Sequence, residues 1–313
     1  MKQEVNSRAM TAWALSSASG LVAFAAGKGS LIETIIASTV CTLLTVIGLR
    51  TSSIQYSNDS KLLAVVQCAF LALATALVMN VAADAWPDSG RNNFVPAILL
   101  LLAVIGSQKG IEAASGVGAM LMWFLILLFG AVAAGGIGNV KTESVYLWTG
   151  ASAGYLHFAC LLPGVLFILP GEKDRAQWLW GLPILATILG VMIIGTLSAD
   201  VSRGQSNPLY EFGKSLRLMG VVERYESLVS VALTLSFYGA MSILLSAADG
   251  LGRSVLHFKA TSAVVALVAL IFAQFELDVV YPVVFGAIIL WYTVPVIVHK
   301  NGVKNILKTD EEK

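Results

Sequence analysis

The residues best suited to hold a small solute are two clusters of small and hydroxyl side chains. The first, Ser16-Ser-Ala-Ser-Gly20, lies inside the first apolar run, and the second, Thr149-Gly-Ala-Ser-Ala-Gly154, lies at a similar distance into the sixth. A membrane helix that unwinds at such a point frees backbone N–H and C=O groups for a small zwitterion. The candidate solute ligands are therefore Ser17, Ser19, Gly20, Thr149, Gly150, Ser152 and, from the eighth run, Tyr238. If the first cluster lines a pocket, leucine at Gly20 should fill that pocket and leave folding nearly unchanged.

Enzyme chemistry has little support in the sequence. The patterns HExxH and CxxC and the phosphate-binding P-loop do not occur, so no metal cage or nucleotide cradle is predicted. We expect a protein that is not an enzyme and has no cofactor, and a coupling Na⁺ or H⁺ is left open. Cys41, Cys68 and Cys160 stand far apart in apolar runs and are interpreted as small buried hydrophobic residues.

The composition indicates a membrane protein. Only 12% of the 313 residues are charged, against about 25% in soluble domains, and 57% are hydrophobic. The net charge of +1 provides no basic surface for a nucleic acid, so nucleic-acid binding is excluded and the lipid bilayer is the expected surrounding.

Ten runs without a charged residue set the predicted fold. They span 9–27, 34–49, 62–83, 92–108, 113–140, 144–171, 176–199, 227–248, 260–275 and 279–299. They are 16 to 28 residues long, against the roughly 17 to 25 residues that a helix needs to cross about 30 Å of hydrocarbon, and they lack the alternation of barrel strands. We predict an all-α membrane protein of about ten helices, with no charged residue inside the spans.

The distribution of basic residues predicts the topology. If the helices alternate from a cytoplasmic N-terminus, 13 of the 20 Lys and Arg residues lie on the cytoplasmic side, as the positive-inside rule requires. The chain is then one transmembrane domain, 1–313. It consists of two five-helix repeats, about 9–140 and 144–299, and a cytoplasmic tail, 300–313.

The loop 200–226 is the longest segment outside the spans. Ser206-Asn207-Pro208 is a helix-start signature, and Leu209, Phe212, Leu216 and Met219 follow at helical spacing. We predict a short amphipathic helix in the outer membrane interface. At the end of the loop, Glu223, Arg224 and Glu226 are expected to form ion pairs that fix the loop to the eighth run; a gate is the alternative.

Packing is the alternative explanation for each candidate ligand. Gly, Ala and Ser permit close approach of membrane helices, and Asn80, Gln67 and Tyr238 are of the type that forms hydrogen bonds between helices. At the sequence level both interpretations remain open.

Two segments resemble a known family. Pro208-Leu-Tyr-Glu211 with the closing Glu223-Arg224-Tyr225-Glu226, together with Lys109-Gly-Ile-Glu-Ala-Ala114, resembles the B-subunit family of endospore germinant receptors, a branch of the amino acid/polyamine/organocation superfamily. The resemblance implies ten helices in two inverted repeats of five, with helices 1 and 6 broken at the solute site. The sequence differs from the family in helix 1, which lacks a proline, and at Leu156, where the family often has an acidic residue.

The resemblance implies an amino-acid-permease-like protein in the inner membrane of a bacterial cell. Such a protein binds or transports a small amino-acid-like solute between helices 1, 3, 6 and 8, or senses it as the germinant-sensing subunit in the spore inner membrane, beside other germinant-receptor subunits. The alternative is a receptor or assembly subunit that does not transport, and that kept the fold and lost the site.

Overall fold

The protein is described by a computed structural model that covers residues 7–27, 31–36, 38–40, 42–43, 46, 61–86, 94–141, 176–205, 207–216 and 225–275. The α-helices used below are α1 Ser7–Ala25, α2 Lys61–Asp84, α3 Phe94–Gln108, α4 Ile111–Gly136, α5 Gly181–Leu197, α6 Ala199–Gly204, α7 Pro208–Ser215, α8 Tyr225–Leu251 and α9 Thr261–Phe272. Two 3-10 segments, Ile137–Asn139 and Ala176–Trp180, and a π-helical turn, Gly252–Leu256, complete the described elements. Every regular element within these ranges is helical, which confirms the all-α prediction.

Four of the helical segments are long and apolar enough to cross a membrane: Ala64–Asp84, Ala113–Asn139, Trp178–Leu197 and Tyr225–Leu256. Shorter apolar helices occupy Ala9–Ala25, Leu31–Val40, Phe94–Gln108 and Thr261–Phe272. Helix is thus found in eight of the ten predicted runs, while 144–171 and 279–299 lie outside the described residues. These spans indicate a helical membrane protein, and the count of ten and the inverted repeat stay predictions.

Large apolar side chains point away from the bundle, as a lipid environment requires. On α4, Met120, Trp123 and Leu127 are 78%, 67% and 70% exposed. A water-soluble protein rarely exposes so continuous an apolar face. In a bilayer this face contacts lipid tails at no cost.

Helix α8 is the centre of the bundle, because α1, α2, α3, α4 and α9 all pack against it. Its Phe237 ring meets the rings of Phe24 and Trp86 edge to face, with centroids 6.4 and 6.3 Å apart. Trp13 is buried against α4, where a Cβ on Gly118 would overlap the indole ring. A glycine is therefore required for α1 and α4 to approach this closely.

Contacts between helix ends define two ends of the bundle. The Lys141 N–H donates to Gly195 O at 2.9 Å, which places the C-terminal ends of α4 and α5 side by side. At the opposite end, Arg253 after α8 donates to Gln108 O of α3 at 3.4 Å. Helices α4 and α5 therefore run in one direction, and α3 and α8 run in the other. The predicted alternation of membrane crossings requires these directions. Following the predicted topology, we name the end with α7 and residues 141 and 195 the outer end, and the other the inner end.

Reporter fusions test this topology. A fusion after Lys313 should report the cytoplasm, and one placed within 203–207 should report the outside, since seven predicted crossings precede that loop and three follow it. Two fusions on the same side of the membrane would contradict the inverted-repeat arrangement.

Candidate functional site

The first small-residue cluster does not break its helix, and the prediction of a broken helix 1 is wrong. Helix α1 continues through Ser17 and Gly20 to Ala25. The serine hydroxyls bond within the helix: Ser16 and Ser17 donate to Trp13 O at 2.9 and 2.7 Å, and Ser19 donates to Ser16 O at 2.7 Å. Hydroxyls that bond back to the preceding turn need no unwound backbone and no ligand.

The same cluster forms a tight contact between α1 and α8. A Cβ on Gly20 would overlap the Cβ of Ser236. One turn away, a Cβ on Gly239 would lie 2.8 Å from the Ser17 hydroxyl. The Ser19 and Ser236 hydroxyls are 3.2 Å apart. Small residues on both helices therefore let the two backbones approach, which is the packing role of such residues in membranes.

Of the other predicted solute ligands, only Tyr238 lies among the described residues, and it does not join this contact. Thr149, Gly150 and Ser152 lie outside the described residues. Tyr238 is half-buried on α8, and its hydroxyl lies toward α3, 2.9 Å from the position of a Cβ on Gly106. Because Tyr238 is two residues from Ser236, it faces about 160° away on the helix and does not meet α1 there.

Helix α7 closes the outer end of the bundle. The predicted start is confirmed, since Asn207 caps the helix and accepts a hydrogen bond from Tyr210 N at 3.1 Å, and Pro208 follows it. Leu209, Phe212 and Leu216 are fully buried. Phe212 reaches the position of a Cβ on Gly136 at the end of α4. The apolar face thus packs on protein, and the location of this helix in the outer membrane interface stays a prediction.

Two hydrogen bonds join this outer segment to the ends of other helices. Asn207 Nδ2 donates to Ala85 O, just after α2, at 2.7 Å. The Ser202 hydroxyl of α6 donates to Gly27 O, just after α1. Carbonyls at helix ends lack partners in their own helix, so these side chains satisfy them and hold α6 and α7 in place.

Asn207→Ala should destabilise the protein by about 1 to 3 kcal/mol, because it removes a helix cap and leaves Ala85 O buried without its donor. Thermal unfolding in detergent measures the change. Lys214→Gln is the control, since the Lys214–Glu211 pair is 3.1 Å long but half-exposed, and it should change stability by less than about 1 kcal/mol. Equal effects of both substitutions would contradict the role given to Asn207.

The predicted ion-pair group is only partly described. Glu226 is half-buried in the first turn of α8, and its backbone lies 3.2 Å from the position of a Cβ on Gly213 of α7. Glu223 and Arg224 lie outside the described residues, so their pairing and the gate stay predictions. The structure does place the start of α8 directly against α7.

The sequence allows two roles for Asn80, lining a cavity or forming a hydrogen bond between helices. Asn80 is 2% exposed, and neither its Nδ2 nor its Oδ1 has a hydrogen-bond partner within the part of the chain described. The expected interhelical bond is therefore absent from that part. A buried polar group without a partner costs about 1 to 3 kcal/mol, so this amide requires an explanation.

Asp249 is an acidic residue that sequence reasoning missed. The charge-free run ends at 248, but α8 continues to Leu251 and its π-helical turn to Leu256. Asp249 is consequently buried inside the span Tyr225–Leu256, and the prediction of spans without charge is wrong here. The signal was the spacing of Asp249 and Arg253, one helical turn apart, which predicts an ion pair.

The described residues were also compared with the requirements of a metal site, and the chain with known proteins. Among the described residues, no group of three or more His, Cys, Asp or Glu side chains is arranged to hold a metal ion, and Cys68 is free and half-buried. A scan of protein-family models gives no match to this chain, and a search of curated proteins gives none either.

Proposed function

We propose that this chain is an amino-acid-permease-like membrane protein that binds a small amino-acid-like solute inside its helix bundle. It then transports the solute or senses it, in the second case as the germinant-sensing subunit of a spore germination receptor in the spore inner membrane. The support is the apolar helical bundle, the family resemblance of residues 208–226, and a buried side chain with the right chemistry.

The observation that carries the proposal is the amide of Asn80. One asparagine side chain offers two donor hydrogens and one acceptor oxygen, so it can bind both the carboxylate and the ammonium of an amino acid. Both of its polar atoms are buried and free of partners in the described part. A solute that pairs with them removes the cost of burying them.

The position of Asn80 suggests the side from which the solute arrives. Asn80 precedes Ala85 by five residues, which is about 7.5 Å along a helix. Ala85 O is the group that Asn207 binds at the outer end. The proposed site therefore lies in the outer third of α2, beneath α7, and not around the small residues of α1.

Thermal unfolding of the purified protein with each of the twenty amino acids tests the proposal. A ligand that binds only the folded state raises the unfolding temperature in a saturable way, and we expect this for a small subset of the twenty. Uptake of the active amino acid into proteoliposomes then separates transport from sensing. A protein that responds to none of them, in detergent and in lipid, would contradict solute binding.

A second function is favoured by one observation, the unbroken α1. The serines of α1 are satisfied inside the helix, and Gly20 is packed against Ser236. This is the arrangement expected of a receptor or assembly subunit that kept a transporter fold and lost its site. Such a subunit should copurify with the soluble-domain subunit and the lipoprotein of a germinant receptor and should bind no amino acid.

A further inference from the structure

The inner half of α8 carries a row of buried polar side chains. Ser242, Ser246 and Asp249 are spaced by four and three residues, so they lie on one face of the helix. Their exposed fractions are only 3%, 1% and 4%. This row is defined here as the α8 polar row.

Three oxygens of this row have no partner among the described residues, whereas several buried hydroxyls elsewhere in those residues are satisfied within their own helix. Ser16, Ser17 and Thr75 each donate to a carbonyl of the preceding turn, at 2.9, 2.7 and 2.7 Å. In contrast, Ser242 Oγ, Ser246 Oγ and Asp249 Oδ1 have no partner within the described residues. Helical serines can satisfy themselves at little cost, so three adjacent free oxygens indicate a function other than helix packing.

Arg253 forms an ion pair with one of the two carboxylate oxygens of Asp249. Its Nη2 lies 2.7 Å from Asp249 Oδ2, and the same atom donates to Gln108 O at 3.4 Å. The Arg253 side chain is 52% exposed, while that of Asp249 is 6% exposed. Arg253 can therefore leave toward water, whereas the carboxylate stays buried and would need another positive charge.

We propose that the α8 polar row binds a monovalent cation of the Na⁺ class, with Ser246 Oγ and Asp249 Oδ1 as ligands and Ser242 Oγ on the next turn. Carboxylate and hydroxyl oxygens suit hard cations. A single carboxylate balances one positive charge, and a divalent ion would leave an unpaired charge in the interior. Arg253 and the cation compete for the same carboxylate, so Arg253 pairs with Asp249 when no cation is bound.

The length of α8 provides access to this site. The span Tyr225–Leu256 has 32 residues, or about 48 Å of helix, against a hydrocarbon thickness of about 30 Å. Its inner end therefore reaches the water layer, and Arg253 can extend there. Ser262, fully buried near the start of α9, also has a free hydroxyl in the described part and offers a further oxygen at the same end.

The unfolding temperature of the purified full-length protein in detergent, with NaCl replacing choline chloride at constant ionic strength, tests the site. No amino acid is present, so the result does not depend on the proposed solute. We expect a saturable rise in the wild type and none in Asp249→Asn. In Arg253→Gln the half-maximal NaCl concentration should fall roughly tenfold, because the competing charge is gone.

Ser246→Ala keeps the test decisive if Asp249→Asn does not fold, and it should raise the half-maximal NaCl concentration. The matched control is Ser16→Ala, a buried serine that bonds within its own helix, and it should respond as the wild type does. An unchanged NaCl response in Ser246→Ala would overturn the site. The site would also be overturned if the unfolding temperatures of the wild type and of Arg253→Gln both failed to change with NaCl. This includes the result in which the unfolding temperature changes only with pH, because a proton would then be the occupant.

Discussion

Gly20→Ala is expected to destabilise the protein by about 1 to 3 kcal/mol, and Gly20→Leu by more, because added atoms overpack a closed contact. The Cβ of either residue would overlap the Cβ of Ser236, which is fully buried on α8. Neither helix can retreat without disturbing its other neighbours. The yield of folded protein and its thermal unfolding in detergent measure the effect. This result would replace the sequence-based expectation that leucine fills a solute pocket without affecting folding.

The double variant Gly20→Ala with Ser236→Gly isolates the contact. Without the serine side chain, the next atom near the new Cβ is the Cα of residue 236, at an ordinary distance of 3.6 Å. Much of the stability should therefore return. Gly116→Leu is the control, since no atom lies within 4 Å of a Cβ there and leucine favours helix over glycine. Failure of Ser236→Gly to rescue Gly20→Ala would show that the cost arises elsewhere.

Asn80→Leu is expected to raise or preserve the stability of the protein without solute and to weaken solute binding by roughly 10- to 100-fold. The substitution removes two buried polar atoms that have no partner among the described residues, each costing about 1 to 3 kcal/mol, and it removes the hydrogen bonds to a charged ligand. Stability lost where function is gained is common at binding sites. Thermal unfolding with and without the active amino acid measures both effects.

Asn207→Leu is the matched control for Asn80→Leu. Asn207 is equally buried, but its amide has partners on both sides, Tyr210 N and Ala85 O. The same substitution should therefore destabilise the protein at 207 and not at 80. A strong loss of stability in Asn80→Leu would mean that its amide bonds to residues outside the described ranges, and Asn80 would then be a structural residue.

Much of the fold was determined by patterns that act locally. Charge-free runs predicted the helical spans because a charge in hydrocarbon is costly and a lipid-exposed backbone must bond to itself. The start of α7 at Asn207 and Pro208 was also predicted, since capping depends on neighbouring residues alone. The use of charge-free runs failed at Asp249. Arg253, one turn later, pairs with this acid, so the membrane helix continues beyond the end of the apolar run.

The roles of the polar residues were decided only by tertiary structure. In sequence, Ser17 and Gly20 suit an opened helix as well as a close contact, and the outcome depends on Ser236 and Gly239, more than 200 residues away. Asn80 and Asn207 are the same amino acid with similar burial, and only the position of Ala85 O separates the bonded amide from the free one. A helix can be read from neighbouring residues because its hydrogen bonds are local. Whether a buried polar atom is satisfied depends on groups brought to it from distant parts of the chain, and the sequence does not contain those distances.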